Sequence, residues 1–204
     1  MNYYGLHNLD KILLEYINFN NGFFIEAGAN NGVHQSNTLL FEEQYGWKGL
    51  LIEPNYENYK RCIINRPNSI VEHCALVSND YSSDYIEGNF INLPNFNGES
   101  LMQGVTDYHL KNSNTTIKVI AKTLQSILNF YNINHVDFFS LDVEGYEIEV
   151  LNGLDFNKMS PTYMLIETGT EDSRIKSIID YMIDKKYETV DRLSKNDFLF
   201  KLKQ

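Results

Sequence analysis

Short apolar runs alternate along this chain with segments in which apolar residues recur every three to four positions. The runs have the length of strands, whereas the recurring spacing places apolar side chains on one face of a helix. The predicted strands cover residues 23–27, 50–53, 69–77, 136–142 and 163–167. The predicted helices cover residues 9–17, 36–45, 56–64, 124–131, 147–154 and 175–183. This alternation builds βαβ units, which require a parallel sheet with right-handed crossovers.

The two ends of the chain add elements of other kinds. Residues 1–20 contain a leading helix, with Asn8 as its predicted N-cap. Residues 187–193 and 197–202 form a predicted closing hairpin. We therefore expect an α/β fold with a doubly wound, mostly parallel sheet and a C-terminal antiparallel hairpin. The length of 204 residues fits a single domain over residues 1–204.

Residues 78–114 break the rhythm with Asn, Ser, Gly and Pro, for example in the stretch from Asn92 to Asn95. Such a segment is typical of an irregular lid or substrate loop. Regular spacing returns with a short extended piece at residues 117–120, followed by a helix with Thr123 as its predicted cap.

The charge balance narrows the range of partners. The formal net charge is -10 and the pI is about 4.9. Nucleic acids and anionic membranes are bound by clustered Lys and Arg, so neither is an expected partner. A small neutral or cationic ligand fits this composition better.

The cysteines and the apolar segments indicate the compartment. Cys62 and Cys74 lack the paired spacing of a zinc site and are predicted to be small core residues in a reducing environment. No apolar segment is long enough to span a bilayer, and the first 17 residues lack the pattern of a secretion signal. We expect a cytoplasmic location.

A glycine-rich loop and a downstream acid suggest an adenosine-containing ligand. The loop runs from Gly28 to Gly32 directly after the first predicted strand, and Glu53 lies 21 residues beyond Gly32 at the end of the second. Glycines let the backbone approach a ligand, and an acid at that position accepts hydrogen bonds from ribose hydroxyls. The alternative is that the glycines serve only a tight turn from strand to helix.

Charge discriminates between adenosine ligands. A dinucleotide brings a pyrophosphate, which favours a complete GxGxxG turn without an adjacent carboxylate. Here the third glycine is absent and Glu26 adjoins the loop. S-adenosylmethionine carries a sulfonium and an ammonium, which a carboxylate attracts. The cationic cofactor is the better fit.

Several motifs in order resemble the FkbM-type methyltransferases. They occupy residues 24–32, 36–38, 46–49, 52–55, 74–76, 140–145 and 166–167. The resemblance spans about Phe24 to Glu167 and implies a seven-stranded, Rossmann-like class I methyltransferase fold that uses S-adenosylmethionine for O-methylation. The expected acceptor is a hydroxyl of a small molecule or sugar, and residues 78–114 match the family least.

The resemblance also implies a role for individual residues. Glu26 and the loop would surround the methionine part of the cofactor, with Asn37 near its carboxylate. Glu53 would bind ribose, and Asp142 would lie under the sulfonium. The full set of predicted cofactor-binding residues is Glu26, Gly28, Ala29, Asn30, Asn31, Gly32, Asn37, Glu53, Pro54, Cys74, Ala75, Leu76, Asp142 and Val143.

Asp142 and His109 are the predicted catalytic residues. Asp142, Glu144 and Glu147 gather at the end of the fourth predicted strand, where repulsion between carboxylates favours a cation nearby. Alternatively, Glu144 and Glu147 complement the dipole of the next helix, and Asp142 caps it. Imidazole can accept a hydroxyl proton near neutral pH, which makes the loop residues His34 and His109 candidate bases, with His109 favoured.

Three other functions stay open at this point. A magnesium-assisted methyltransferase would use Asp142 and Glu167, although we expect no metal. A nucleotide-sugar oxidoreductase would need the full phosphate fingerprint and a Tyr and Lys pair, neither of which is evident. A non-catalytic module would bind the cofactor without turnover.

Overall fold

A computed structural model describes residues 2–88, 90, 93–94, 100–101 and 116–203. Its strands are β1 (Phe23–Ala27), β2 (Lys48–Ile52), β3 (Ile70–Glu72), β4 (Ala75–Leu76), β5 (Tyr85–Gly88), β6 (Leu93–Pro94), β7 (Ser100–Leu101), β8 (Ile117–Lys122), β9 (Phe138–Leu141), β10 (Tyr163–Glu167), β11 (Tyr187–Arg192) and β12 (Asp197–Leu202). Its α-helices are α1 (Leu9–Leu13), α2 (Leu39–Tyr45), α3 (Tyr56–Asn65), α4 (Leu124–Phe130), α5 (Glu147–Asn152) and α6 (Asp172–Asp184). None of these helices has the length and apolar character needed to cross a bilayer.

The central sheet has seven strands in the order β3-β2-β1-β9-β10-β12-β11. All neighbouring pairs are parallel except those of β12, which runs antiparallel to both β10 and β11. The predicted hairpin therefore closes the sheet with β12 inserted next to β10. Ala27 lies beside both Ile52 and Leu141, so the carboxyl ends of β1, β2 and β9 meet at one edge.

Helices cover both faces of this sheet. On β1, Phe24 packs in the same buried cluster as residues of α1, α2 and α3, whereas its neighbour Ile25 packs with residues of α4, α5 and α6. Consecutive strand residues point to opposite faces, so each strand serves two cores. This three-layer arrangement confirms the predicted doubly wound α/β fold.

The predicted third strand at residues 69–77 is wrong as a single element. Its first part, β3, is the edge of the central sheet, while β4 pairs in parallel with β8 in a separate three-stranded sheet completed by β5. Apolar residues stand on both sides of Glu72 and His73, and nothing in this local pattern marks the point where the chain changes sheets. Ile70 of β3 and Leu76 of β4 both pack with the main apolar cluster, while Ala75 belongs to a second one.

The segment 78–114 contains more regular structure than expected. Strand β5 pairs antiparallel with β8, and β6 pairs with β7. The role of the remaining residues of this segment as a lid lies outside the described residues.

The start of the chain also differs from the prediction. Helix α1 ends at Leu13, and Asn8 adopts a left-handed backbone with φ 59° and makes no side-chain cap. A short 3-10 turn, Leu6–Asn8, precedes the helix and leaves Asn8 in the wrong conformation for an N-cap. The Asp10 carboxylate instead accepts hydrogen bonds from the backbone of Tyr4 and Lys11. In contrast, Thr123 caps α4 as predicted, accepting from the Ser126 N–H.

Candidate active site

A cleft opens at the shared carboxyl edge of β1, β2 and β9. The chain moves outward from β1 through β2 to β3 and later enters β9 on the other side of β1, so the strand order reverses there. Ligands of doubly wound sheets bind at such a reversal. The residues that line the cleft include those that follow β1, β2 and β9, so a ligand there would contact all three strand ends.

Most of the predicted cofactor-binding residues meet at this cleft. Those that line it are Glu26, Gly28, Ala29, Asn30, Asn37, Pro54, Cys74, Ala75, Leu76, Asp142 and Val143. Asn31, Gly32 and Glu53 are not part of its lining, but they hold the loops that form it. Further lining residues, which the sequence did not single out as ligands, are Gln35, Ser36, Ile52, Phe90, Ser140, Tyr146 and Val150.

Gly28 brings two strand ends into close contact. Its φ is 82°, and a Cβ at this position would lie 1.8 Å from the Asp142 carbonyl oxygen. The Gly28 N–H donates to the Ile52 carbonyl at 3.1 Å. Only glycine fits here, so the loop is fixed against both β2 and β9.

Asn31 closes the same loop from within. Its Oδ1 accepts hydrogen bonds from the N–H groups of Val33 at 2.9 Å and His34 at 2.8 Å. An Asn side chain that binds backbone two residues ahead mimics a turn. Asn31 therefore shapes the loop and does not face the cleft.

The Glu26 carboxylate organises the segment that follows the loop. It accepts hydrogen bonds from Ser36 Oγ at 2.8 Å, Thr38 Oγ1 at 2.6 Å and the Asn37 N–H at 2.8 Å. Glu26 is almost fully buried, so these donors compensate for its lost hydration. Its charge contributes to the cleft, but its oxygens are largely engaged by the chain itself.

Arg66 completes this network and was missed by the sequence analysis. Its side chain is fully buried at the end of α3, with Nε 2.7 Å from Glu42 and Nη1 3.6 Å from Glu26. It also donates to the Gly32 carbonyl at 2.9 Å. The one available signal was an arginine near the end of an amphipathic helix, which does not distinguish a buried anchor from a solvated charge.

Asn37 connects the loop to β9. Its Nδ2 donates to Ser140 Oγ at 3.1 Å, and the residue lines the cleft. Its Oδ1 is buried and has no hydrogen-bond partner among the described residues. This oxygen is shielded from solvent and lies close to Gly5, so the amide N–H groups of Asn37 are the ones that a carboxylate could use.

Glu53 joins the glycine-rich loop to the end of β2. One oxygen accepts from the Asn30 N–H at 2.8 Å and the other from the Asn55 N–H at 2.7 Å. Burial raises the pKa of Glu53 to about 8, against the smaller opposing effect of these two hydrogen bonds. The acid is therefore held beside the cleft with each oxygen fixed in direction.

The far end of the cleft is apolar. Ile52, Leu76 and Val150 are buried there beside Phe90. Burial raises the pKa of the Cys74 thiol to about 12, so the sulfur acts as an uncharged wall. The arrangement suits a flat, uncharged aromatic group.

Carboxylates border the opposite end. Asp142 is open to the cleft, yet the surrounding protein atoms reduce its hydration and raise its pKa, an effect strengthened by Glu167, Glu144 and Glu147. Asp142 and Glu167 share a side-chain hydrogen bond, and burial raises the pKa of Glu167. Together they hold a proton to higher pH than two separate carboxyls, because both cannot ionise cheaply side by side.

Three carboxylates of this group meet the distance requirement for a metal site but not its chemistry. Asp142, Glu147 and Glu167 each place one oxygen within 4.8 Å of the others. The Glu147 oxygens, however, already accept two backbone N–H groups and the Arg174 guanidinium. Because a ligand set for Mg²⁺ needs uncommitted oxygens, we do not assign a metal here.

The structure describes one of the two candidate histidines. His34 lines the cleft next to the loop. His109 lies outside the described residues, so its role stays a prediction.

The residues of the cleft fit S-adenosylmethionine. Gly28 fixes the loop against β2 and β9 at the floor of the cleft, and the apolar end accommodates adenine. Asp142 and its neighbours offer negative charge at the other end, where a sulfonium would relieve their repulsion.

Comparison with known proteins agrees with this geometry. The family model for the methyltransferase FkbM domain matches residues 26–189. Among curated protein sequences, none matches the chain.

Solved structures share the fold at low sequence identity. A proposed RNA methyltransferase from Pyrococcus horikoshii is 10% identical with a TM-score of 0.52, covering 95% of this chain and 81% of that one. A precorrin-6y C5,15-methyltransferase from Geobacter metallireducens is 6% identical with a TM-score of 0.51, covering 94% and 86%. A TehB-like SAM-dependent methyltransferase from Corynebacterium glutamicum is 9% identical with a TM-score of 0.50, covering 96% and 88%.

The match over residues 26–189 covers most of the chain and excludes the oxidoreductase alternative. The chain belongs to the FkbM methyltransferase family and is an S-adenosylmethionine-dependent methyltransferase.

Proposed function

We propose that this methyltransferase acts on a hydroxyl oxygen of a small molecule or sugar. The observation that carries the proposal is the charge of the cleft. Among the described residues, those that line it include the carboxylates Asp142 and Glu144 but no lysine or arginine. A polyanionic acceptor would meet repulsion there, whereas a neutral polyhydroxylated acceptor can donate hydrogen bonds to the carboxylates.

Different residues of the chain would bind the different parts of S-adenosylmethionine. Glu53 would bind the ribose hydroxyls, Asn37 the methionine carboxylate, and Cys74 to Leu76 the adenine. Asp142 would face the cationic centre. When bound, S-adenosylmethionine supplies an electrophilic methyl group whose bonding electrons remain on sulfur as it leaves.

Tyr146 adds a surface for the acceptor. It lies between the acidic group and α5 and lines the cleft. An aromatic ring can pack against the apolar face of a sugar while its hydroxyl stays in water. Alignment of acceptor and methyl group would supply most of the rate enhancement.

A magnesium-assisted mechanism is less favoured. It would require Glu147 to give up its hydrogen bonds with the backbone and Arg174. We therefore expect EDTA to leave turnover unchanged and added Mg²⁺ not to raise it. Loss of turnover in EDTA with recovery in Mg²⁺ would favour the metal.

The test is methyl transfer with labelled S-adenosylmethionine against separate panels of sugars, polyketides, lipids and RNA. We expect a labelled methyl ether on a sugar or small-molecule hydroxyl. Transfer only to RNA, or cofactor binding without transfer to any panel, would contradict the proposal. Calorimetry with S-adenosylhomocysteine and with NADH provides the control, since only the former should bind.

A further inference from the structure

The turn after β9 holds Glu144 in an unusual backbone conformation. Its φ is 56°, and the following Gly145 has a φ of 102°. A left-handed glutamate is disfavoured because its Cβ crowds the backbone. Such strain persists only where the surroundings enforce it, and it is frequent at functional sites.

Glu147 enforces this conformation. Its Oε1 accepts hydrogen bonds from the Val143 N–H at 3.2 Å and the Gly145 N–H at 3.1 Å, one on each side of Glu144. Its Oε2 accepts from Arg174 at 2.5 Å, and Glu147 itself is 1% exposed. The turn that carries Glu144 is thus clamped from α5 and α6.

The neighbouring acids are all engaged. Glu147 is held by the contacts above, and Asp142 shares a side-chain hydrogen bond with Glu167. Asp197, paired with Glu167 across β10 and β12, is bonded to Ser194. Among the described residues, none donates a hydrogen bond to the Glu144 carboxylate, although Glu144 lines the cleft.

We propose that Glu144 takes the proton from the acceptor hydroxyl, and that Glu147 and Arg174 are positioning residues that present it. This inference rests on the proposed O-methylation. As the acceptor oxygen bonds to the methyl carbon, its O–H bond breaks and the proton moves to a Glu144 oxygen. The neutral Glu144 acid then returns the proton to water.

The charges around Glu144 suit this task. Burial raises its pKa to about 7, with further contributions from Glu167 at the end of β10 and Glu147 on α5. Arg174 on α6 opposes the shift, and Asp142 at the end of β9 itself holds a proton to higher pH than a free aspartate. A base with a pKa near the working pH is most effective. Since the base works when ionised, turnover should rise with pH through this value.

The main test compares Glu144→Gln with Glu149→Gln, which removes the same charge in the first turn of α5 but lies outside the cleft lining. We expect Glu144→Gln to lower the rate constant for bound substrates by roughly 10²- to 10⁴-fold. The Kd for S-adenosylhomocysteine should stay within about twofold, since Glu144 makes none of the proposed cofactor contacts. Glu149→Gln should behave like the wild type.

A second readout does not need turnover. In protein labelled with ¹³C-glutamate, the carboxyl resonance lost in Glu144→Gln should titrate in the wild type at a pKa of about 7. In Glu147→Gln this midpoint should move to lower pH, because the negative charge that raises it is removed. The pH profile of the single-turnover rate in Glu147→Gln should move to lower pH together with this midpoint, which a role of Glu144 confined to structure would not produce.

Two results would overturn the proposal: unchanged single-turnover rates in Glu144→Gln, or titration of Glu144 at the ordinary glutamate value of about 4.3. If Glu144→Gln does not fold, Glu144→Asn replaces it, because Asn tolerates left-handed backbone. Failure of the proposed function looks different, since the wild type itself would then transfer no methyl group to hydroxyl acceptors.

Discussion

Glu53 is the residue on which the assignment of the ribose site depends. Its oxygens are oriented by the N–H groups of Asn30 and Asn55, and the side chain is fully buried beside the cleft. Replacement by Ala should weaken S-adenosylhomocysteine binding by about 1.5 to 3 kcal/mol, or roughly tenfold to 150-fold in Kd.

Calorimetry on Glu53→Ala checks this value, with Glu57→Ala as the matched control. Glu57 lies on the exposed surface of α3 in an ion pair with Lys60. Equal affinities of the two variants for S-adenosylhomocysteine would show that Glu53 does not bind the ribose. If the melting temperature falls in Glu53→Ala but not in Glu57→Ala, the weaker binding reflects disruption of the loop and not only the loss of contacts with the ligand.

Asp142 leads to a pH-dependent difference between two ligands. The Asp142 pKa is raised in the ligand-free protein, so a proton is retained there to higher pH than for a free aspartate. A sulfonium favours the ionised form, so its binding releases that proton and strengthens as pH rises. S-adenosylhomocysteine lacks the sulfonium and should not gain equally.

The ratio of the two affinities, measured by calorimetry from pH 5 to 9, should therefore shift towards S-adenosylmethionine as pH rises. In Asp142→Asn most of this shift should vanish. If the ratio of the two affinities in the wild type does not depend on pH, Asp142 does not interact with the cationic centre of the cofactor.

Among the elements, α3 has the least obvious role. It is followed directly by Arg66, whose guanidinium joins Glu26 of β1 to Glu42 of α2. Removing one partner of a buried charge group leaves the others unpaired. We expect Arg66→Met to lower the free energy of unfolding by about 3 to 5 kcal/mol.

Urea denaturation of Arg66→Met and of Arg61→Met tests this anchor, since Arg61 is exposed on the same helix. Both variants lose a charge and keep a long apolar side chain. A destabilisation of Arg66→Met no larger than that of Arg61→Met would mean that Glu26 and Glu42 do not depend on the guanidinium.

The strands and helices that face the central core could be predicted from the sequence because burial imposes a period of two or 3.6. β1 and β10 have the predicted bounds. The division of residues 69–77 between two sheets could not be found, because pairing partners are set by distant segments.

The residues of the site likewise fall into those that local sequence patterns predict and those that they do not. Gly28 and Asp142 could be predicted as site residues because each lies at the end of a predicted strand. The structure brings the two into contact. Arg66 and the clamp between Glu147 and Arg174 join segments far apart in the chain. Local patterns carry no information on such pairs, so these residues became visible only in the fold.

At the scale of the whole molecule, charge bears on the nature of the acceptor. The fold is shared with a proposed RNA methyltransferase at 10% identity, which says nothing about the acceptor of this chain. The net charge of -10 makes approach to a polyphosphate unfavourable at low salt. Seventeen Lys and Arg residues face 27 Asp and Glu residues.

We therefore expect no submicromolar RNA binding. A protein that neutralises phosphates releases counterions, so its affinity falls steeply as salt rises. Fluorescence anisotropy with a labelled single-stranded RNA and an RNA hairpin, at about 50 and 200 mM salt, tests both properties. Tight binding that weakens between these concentrations would mean that a local basic surface outweighs the overall charge. The acidic cleft would then have to admit only the ribose or base, and the proposed hydroxyl acceptor would be a nucleotide within a chain.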